Sequence, residues 1–333
     1  MIKKSLKNAL LYASATVGVG MLSGKENQLF VGGTANVMLF AVVFACANFL
    51  FGEWARQTNC RDGESLCTAT FGKGAPFALF LLLAADTLTA TAILSGTESA
   101  LQKLTINFPL PMFGVVICLV AAALSKGRGR AASIAARVSL ALAAVLLATT
   151  IGGDYAAAPQ PPIKTMVYAM FCATMLLGLQ CKNHGDTAGE NALTAAITTL
   201  LLTSIVLPIA LRGGITPGGK AYITVPAAAC FVLSASTGVY ATTKNSIEFT
   251  SSFVGDKSLA AYLYFAFCLA LSMVGADIAI NFGYTCAAVV GTTLVSVSFA
   301  LKLLKKAKIR KIQNTMCEIV FCILLFFDIV WRF

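Results

Sequence analysis

Charge is what this chain most lacks. Only 12% of its 333 residues are charged and 58% are apolar, with a mean hydropathy of +0.81, whereas a soluble globular chain carries about 25% charge. One or two soluble domains cannot hide that much apolar surface from water, so the excess requires lipid. Large extramembrane domains and an appended soluble enzyme are excluded with it. Histidine is nearly absent: the single His184 sits beside Asp186 in a polar stretch, which leaves nothing from which to assemble a Ser-His-Asp set. No Gly-x-x-x-x-Gly-Lys-Ser/Thr run occurs, so the chain has no loop of that type to cradle a nucleotide phosphate. Cysteine is abundant, with eleven in all, yet all but Cys60 and Cys67 fall in or at the ends of apolar runs, where the thiol acts as a small hydrophobe. Cys60 and Cys67 lack a second pair or a histidine and make a poor zinc signature. An enzyme is not expected, nor a metal or cofactor beyond a coupling ion.

The apolar runs fall at about 8–30, 34–54, 75–100, 112–125, 131–151, 163–181, 188–211, 221–243, 258–274, 276–301 and 314–331. A helix needs about 20 residues to span a bilayer, so an all-α polytopic membrane protein of about eleven transmembrane helices is expected. The runs are near-continuous rather than alternating in two, which argues against a membrane β-barrel. The net charge of +11 is a topology signal rather than a nucleic-acid footprint. Basic residues collect at the N-terminus (Lys3, Lys4, Lys7) and in alternate connections, from Arg56, Arg61 and Lys73 to Lys126, Arg128 and Arg130 and the cluster at 302–311. By the positive-inside rule these connections and the N-terminus are cytoplasmic, and an odd number of spans places Phe333 outside. The first run ends in Lys25-Glu26 without a small-residue cleavage site, so it reads as a span of the cell membrane protein rather than a cleavable signal.

That first run is the informative stretch. Gly18, Gly20 and Gly24 fall within seven residues and are followed at once by Lys25 and Glu26. Each glycine costs about 1 kcal/mol of helix stability, and irregular backbone at membrane depth survives only where protein buries it or a cavity adjoins it. One reading is a broken helix whose freed amides and carbonyls bind a solute or ion. The other is close packing of small residues, since Gly20 and Gly24 have Gly-x-x-x-Gly spacing. The charged pair favours the break, because ionisable residues inside a span default to functional roles.

The run Val17-Gly18-Val19-Gly20-Met21-Leu22-Ser23-Gly24-Lys25-Glu26-Asn27-Gln28-Leu29-Phe30 resembles the signature of YkvI-like membrane proteins, G-x-G-F-A-S-G-Q-E-I-x-x-F-F. Those proteins resemble the amino acid–polyamine–organocation transporters, of the leucine-transporter-type fold. Val239-Tyr240-Ala241-Thr242-Thr243 is similar to the aromatic-x-Thr-Thr stretch of the eighth helix there. Met21, Leu22 and Lys25 depart from the pattern, so the solute can differ from that of better-known relatives. The resemblance implies a 5+5 inverted repeat, 8–151 and 163–301, with 314–331 as an additional helix. It implies broken first and sixth helices around a central solute site at Gly18, Val19, Gly20, Met21, Ser23 and Thr174. It also implies a cation held by the Val17 carbonyl with the Thr242 and Thr243 hydroxyls, as in sodium-coupled relatives. For the sixth helix, a break near Thr174–Gly178 and an intact helix fit the sequence equally.

Other ionisable groups inside spans extend the candidate set. Asp86 stands alone among apolar neighbours, at an insertion cost of about 2.5–3.5 kcal/mol; it is read as a contact for a solute amine or as a proton carrier, against a structural hydrogen bond. Arg137 either snorkels to the cytoplasm or reaches the space between helices one, five and eight. Lys244, directly after Thr243, offers an ammonium that could stand in for the ion. Glu26 completes the coupling candidates, with sodium and proton both open. The expected function is secondary transport of a small polar solute, an amino acid or related compound; the rival is a receptor of the same fold without net transport.

Overall fold

The computed structural model describes residues 2–22, 24, 26–102, 112–126, 130–150, 158–212, 221–273, 284–285, 287–294 and 296–297. The regular secondary structure of these residues is helical, with no strand among them. In chain order the helices are α1 (Ile2–Thr16), α2 (Val19–Leu22), α3 (Thr34–Thr58), α4 (Gly63–Phe71), α5 (Ala75–Gln102), α6 (Met112–Lys126) and α7 (Arg130–Thr150). They continue as α8 (Pro162–Thr174), α9 (Leu177–Asn183), α10 (Ala188–Arg212), α11 (Ala221–Thr242), α12 (Lys244–Val254) and α13 (Lys257–Ser272). A π-helical turn, Asn27–Val31, joins α2 to α3, and residues 287–294 form a further helical stretch. Among the described residues five helices are long and apolar enough to cross a membrane, and the pair α8–α9, bent by 45°, makes a sixth span. The expected helix at 314–331 and most of that at 276–301 lie outside the described residues. The protein is a multi-pass membrane protein.

Local chemistry explains the boundaries. Asp62 and Ser65 form a reciprocal capping box that starts α4, and Asp256 accepts the amides of Ser258 and Leu259 to start α13, each occupying amide donors that a helix start leaves unpaired. Within the spans, hydroxyls bond back to carbonyls four residues earlier, as at Thr87, Thr91, Thr174, Thr194 and Thr198. Such internal satisfaction is what hydrocarbon surroundings demand. The outward faces are apolar, with Phe80 and Leu200 exposed, as a lipid-facing surface should be.

The helices pack in two groups. In one, α3 contacts α8 and α10, and α1 contacts α10; in the other, α5 and α6 contact each other and each contacts α11 and α13. Helix α7 lies against both α1 and α11. Exchanging the first helix for the sixth (α1 for α8), the second for the seventh (α3 for α10), the third for the eighth (α5 for α11) and the fourth for the ninth (α6 for α13) maps several of these contacts onto one another. The α1–α10 contact becomes α8–α3, and α5–α13 becomes α11–α6. That is the packing of an inverted repeat, in which small residues set the closest approach. Ala9, Ala13, Ser14 and Ala15 of α1 are fully or almost fully buried, and an added Cβ on Gly238 of α11 would come within 3.2 Å of the Ala15 carbonyl.

Candidate functional site

Both helices expected to face a central site are interrupted. Helix α1 stops at Thr16, and Val17 and Gly18 are non-helical before the short α2. The Gly18 amide donates back to the Thr16 carbonyl at 2.8 Å, and that of Gly24 to Met21 at 3.0 Å. Gly24 has φ +78°, a left-handed conformation that glycine adopts without steric cost. Gly18 is half-buried, yet a Cβ there would meet nothing within 4 Å, so open space adjoins the break. Gly20 is used differently. Its hypothetical Cβ would lie 2.3 Å from Oε1 of Glu26. The side chain folding over Gly20 thus comes from the same segment, not from a helix packing in Gly-x-x-x-Gly fashion. Ser23 and Lys25 lie outside the described residues, as does the side chain of Val19; Met21 is buried.

The sixth span breaks at Met175–Leu176, within the stretch where the sequence left both readings open. Helix α8 presents Tyr168 to Glu26: its hydroxyl donates to Oε2, while that of Tyr284 donates to Oε1. Phe30 stacks on Tyr168 at 5.2 Å between ring centres, and Phe171 on Tyr284 at 3.8 Å. Glu26 is half-buried, whereas both tyrosines are almost wholly buried. Thr174 is placed elsewhere. Its hydroxyl donates to the Met170 carbonyl and presses on Gly291, where an added Cβ would stand 1.8 Å from Oγ1.

The carbonyl end of α1 lies along α11. Ser14 and Thr237 share a hydroxyl contact of 3.1 Å, and Thr237 also donates to the Ser14 carbonyl at 3.3 Å. At the end of α11, Thr242 and the following Thr243 are buried, and their hydroxyls donate to the Gly238 and Val239 carbonyls of α11. A hydroxyl that donates keeps lone pairs for a cation. Of the sequence-predicted cation ligands, Thr242 ends α11, which touches α1, and Thr243 follows it directly, while buried Val17 follows the last residue of α1.

Asp86 joins a different cluster. Helix α11 ends at Thr242 and α12 opens with three residues that each reach another element. The Lys244 ammonium donates to the Gly178 carbonyl of α9 at 3.0 Å, and Asn245 Oδ1 accepts the Gly63 amide of α4 at 3.1 Å. Ser246 donates to Asp86 of α5 at 3.5 Å. Next to Asp86, Thr87 shares a 2.7 Å contact with the Tyr264 hydroxyl of α13. Arg137 joins neither group; it lies on an exposed face of α7. Sequence reasoning did not find Tyr168, Tyr284, Asn245 or Ser246. Asn245 and Ser246 could have been found from their position directly after Thr242-Thr243-Lys244; nothing in the sequence singles out the two tyrosines.

At the other end of α1 its polar side chains bond to the α9–α10 connection. Asn8 donates to the Asn183 carbonyl at 2.7 Å, Ser5 to that of Glu190 at 3.3 Å, Tyr12 to that of Leu179 at 3.4 Å, and Lys4 pairs with Asp186 at 2.9 Å. His184 lies here, on a small polar cavity that Tyr12, Asn48, Gln180 and Asn191 also line. Its ring nitrogen contacts a carbonyl of the same loop. The Lys4 ammonium bonded to Asp186 holds that carboxyl below its ordinary value. Among the described residues no group of three His, Cys, Asp or Glu is placed to hold a metal.

No family model matches the chain, and no curated protein matches it. Solved structures do. The chain is similar to MhsT, solved in complex with L-phenylalanine, with a TM-score of 0.63 and 14% identity over 95% of this chain and 98% of that one. It is also similar to a Na+-coupled sialic acid symporter in a substrate-bound outward-open state, with a TM-score of 0.62, 11% identity, and coverage of 87% of this chain and 77% of that one. The fold is that of the leucine-transporter type. At such identities the likeness carries the architecture alone. The YkvI-like resemblance rests on the Val17–Phe30 residues, and the neighbours' substrates stay with the neighbours.

Proposed function

We propose that this protein is a secondary transporter that moves a small polar solute, an amino acid or related compound, across the cell membrane by alternating access. The observation that carries the reading is the pair of breaks, Val17–Gly18 and Met175–Leu176, on helices that correspond under the inverted repeat. Backbone left unpaired at such breaks is the usual means by which transporters of this architecture hold solutes and ions at mid-membrane. The two repeats run over 8–151 and 163–301, with 314–331 outside them, and the N-terminus is cytoplasmic. Gly18 to Met21 and Ser23 border the solute. Thr174, covered by Gly291, supports the broken helix from behind.

The coupling ion in this reading is sodium, at the Thr242 and Thr243 hydroxyls and the Val17 carbonyl. The Lys244 ammonium is engaged with Gly178, which argues against its standing in for the ion. Asp86 links α5 to α12 and couples the ion end of α11 to the scaffold. Counterflow tests the function: proteoliposomes preloaded with candidate amino acids or amines should accumulate the labelled solute, and a sodium gradient should drive net uptake. Saturable binding without counterflow of any bound solute would replace the transporter with a receptor.

A further inference from the structure

The small polar cavity beside His184 is walled by four helices: Tyr12 of α1, Asn48 and Gly52 of α3, Gln180 of α9, and Asn191 and Thr194 of α10. Two of these side chains are only half satisfied. Gln180 donates its Nε2 to Asn48 Oδ1, which leaves Gln180 Oε1 and Asn48 Nδ2 without a partner among the described residues. Gln180 is 1% exposed and Asn48 4%, so bulk solvent does not serve them, and a buried polar atom left unbonded is costly. The neighbouring groups are already engaged. Asn191 accepts the Gly185 amide at 2.7 Å and donates to Glu53 at 3.3 Å, and the Asn183 carbonyl accepts from Asn8. Turning both amides over keeps their mutual bond and again leaves one N–H group and one oxygen, whereas turning one alone sets like atoms against each other.

This orphaned pair selects the guest, which must accept one proton and donate another. A bare cation would face the N–H group, and an anion would face the carbonyl oxygen. Size is as selective as chemistry. The cavity volume is about 10 Å³, about the room that one water needs, and too little for an amine, an amino acid or a hydrated ion. We propose that one water is bound here as a fixed part of the fold, accepting from Asn48 and donating to Gln180. A buried water makes about three hydrogen bonds, and the wall offers the third. Tyr12 and Thr194 each give their proton to a carbonyl, of Leu179 and Glu190, and keep lone pairs on the hydroxyl oxygen. The second half of the broken sixth span is thereby held to α3 partly through an exchangeable molecule, beside the end of α1 that Asn8 and Tyr12 tie down. The site stands whether or not the protein transports.

Brief X-ray radiolysis of the full chain in detergent turns bound water into hydroxyl radicals, which oxidise the side chains next to it, and mass spectrometry reads the products. Tyr12 is 3% exposed and Phe265, away from the cavity, is 2% exposed, so exposure alone gives them equal protection. After correction for intrinsic reactivity, Tyr12 should be oxidised severalfold faster than Phe265. Gly52 supplies the control. A Cβ there would meet Asn191 Oδ1 at 3.4 Å, an ordinary contact, so Gly52→Ala takes up the water's room without a clash. Tyr12 oxidation should fall severalfold in that variant with helix content unchanged. Asn48→Leu removes the N–H group and fills its space; it serves where the alanine variant does not fold and should have the same effect. A crystal structure of the parent should show one density peak within hydrogen-bond distance of both amides. Tyr12 oxidised no faster than Phe265, oxidation unchanged in the variants, or no peak at the amides would overturn the proposal. A peak that gains an anomalous signal when chloride is exchanged for bromide would also overturn it, in favour of an anion.

Discussion

Gly20 and Gly291 are small for a reason that lies in their neighbours. An alanine at Gly20 would place its methyl against the Glu26 side chain, which can move only by leaving the tyrosine hydroxyls. Gly20→Ala should therefore displace the Glu26 carboxylate from the tyrosines and lower the thermal midpoint about as much as Glu26→Gln. A thermal midpoint unchanged in Gly20→Ala would show that Glu26 is not held through this position. Gly291→Ala meets the Thr174 hydroxyl at 1.8 Å, and overpacking of this kind costs about 1–3 kcal/mol. Thr174→Ala removes the oxygen, so the double variant should recover much of that loss. A cycle of thermal midpoints would give a coupling of about 0.5–3 kcal/mol for residues in contact, and simple additivity would mean that the two do not meet. The break in the first helix was legible at this scale because three glycines and a charged pair in one span are poor helix. The partners of Glu26 were not, because Tyr168 and Tyr284 stand 142 and 258 residues away and look like any aromatic in an apolar run.

At the scale of elements, α12 begins where α11 ends, and its first three residues join α9, α4 and α5. Sequence order made Lys244 visible as a charge within a span, and hydropathy made Asp86 visible as an isolated carboxylate. Neither showed that they belong to one junction, since Asp86 and Ser246 lie 160 residues apart. The junction makes a distinct prediction for Asp86. Asp86→Asn keeps an oxygen for Ser246 and should leave the fold intact, whereas Asp86→Leu strands the buried donor of Ser246, at about 1–3 kcal/mol. The leucine variant should thus lower the thermal midpoint clearly more than the asparagine variant. Equal midpoints would mean that the hydrogen bonds contribute nothing and that the carboxylate serves the solute or ion alone. The sodium site proposed at the end of α11 gives a further prediction: Thr242→Ala and Thr243→Ala each remove a hydroxyl that also bonds a carbonyl of α11. Each should raise the sodium concentration for half-maximal uptake severalfold with the helix intact. Uptake equally fast in sodium-free medium would move the coupling ion away from α11.

Across the whole molecule, composition alone was enough for the class and hydropathy for the order of spans, because lipid imposes one period and one length on every crossing segment. What it left hidden was how the two ends of α1 differ. One end runs beside α11 at Ser14 and Thr237, whereas the other is tied by Ser5, Asn8 and Tyr12 to backbone carbonyls of the α9–α10 region. In the proposed transport cycle, opening the pathway at the Ser5–Tyr12 end requires the second set to release. The bonds are unequal. Lys4 and Asp186 are both exposed, and exposed pairs contribute little. The Lys4 bond depresses the Asp186 carboxyl, so what the pair contributes is present above the ordinary aspartate value and is lost as pH falls through the depressed one. Lowering the pH from 7 to 5 therefore stays above the loss and should leave α1 attached. Asn8 is buried and bonds at 2.7 Å, so Asn8→Ala leaves a carbonyl unpaired and removes the tie itself. Hydrogen exchange over residues 5–16 should accelerate in Asn8→Ala and remain at the parent rate in Asp186→Asn, at pH 7 and at pH 5 after correction for intrinsic rates. Acceleration in Asp186→Asn equal to that in Asn8→Ala would mean that the surface pair, and not the buried amide, keeps the first helix closed against the α9–α10 connection.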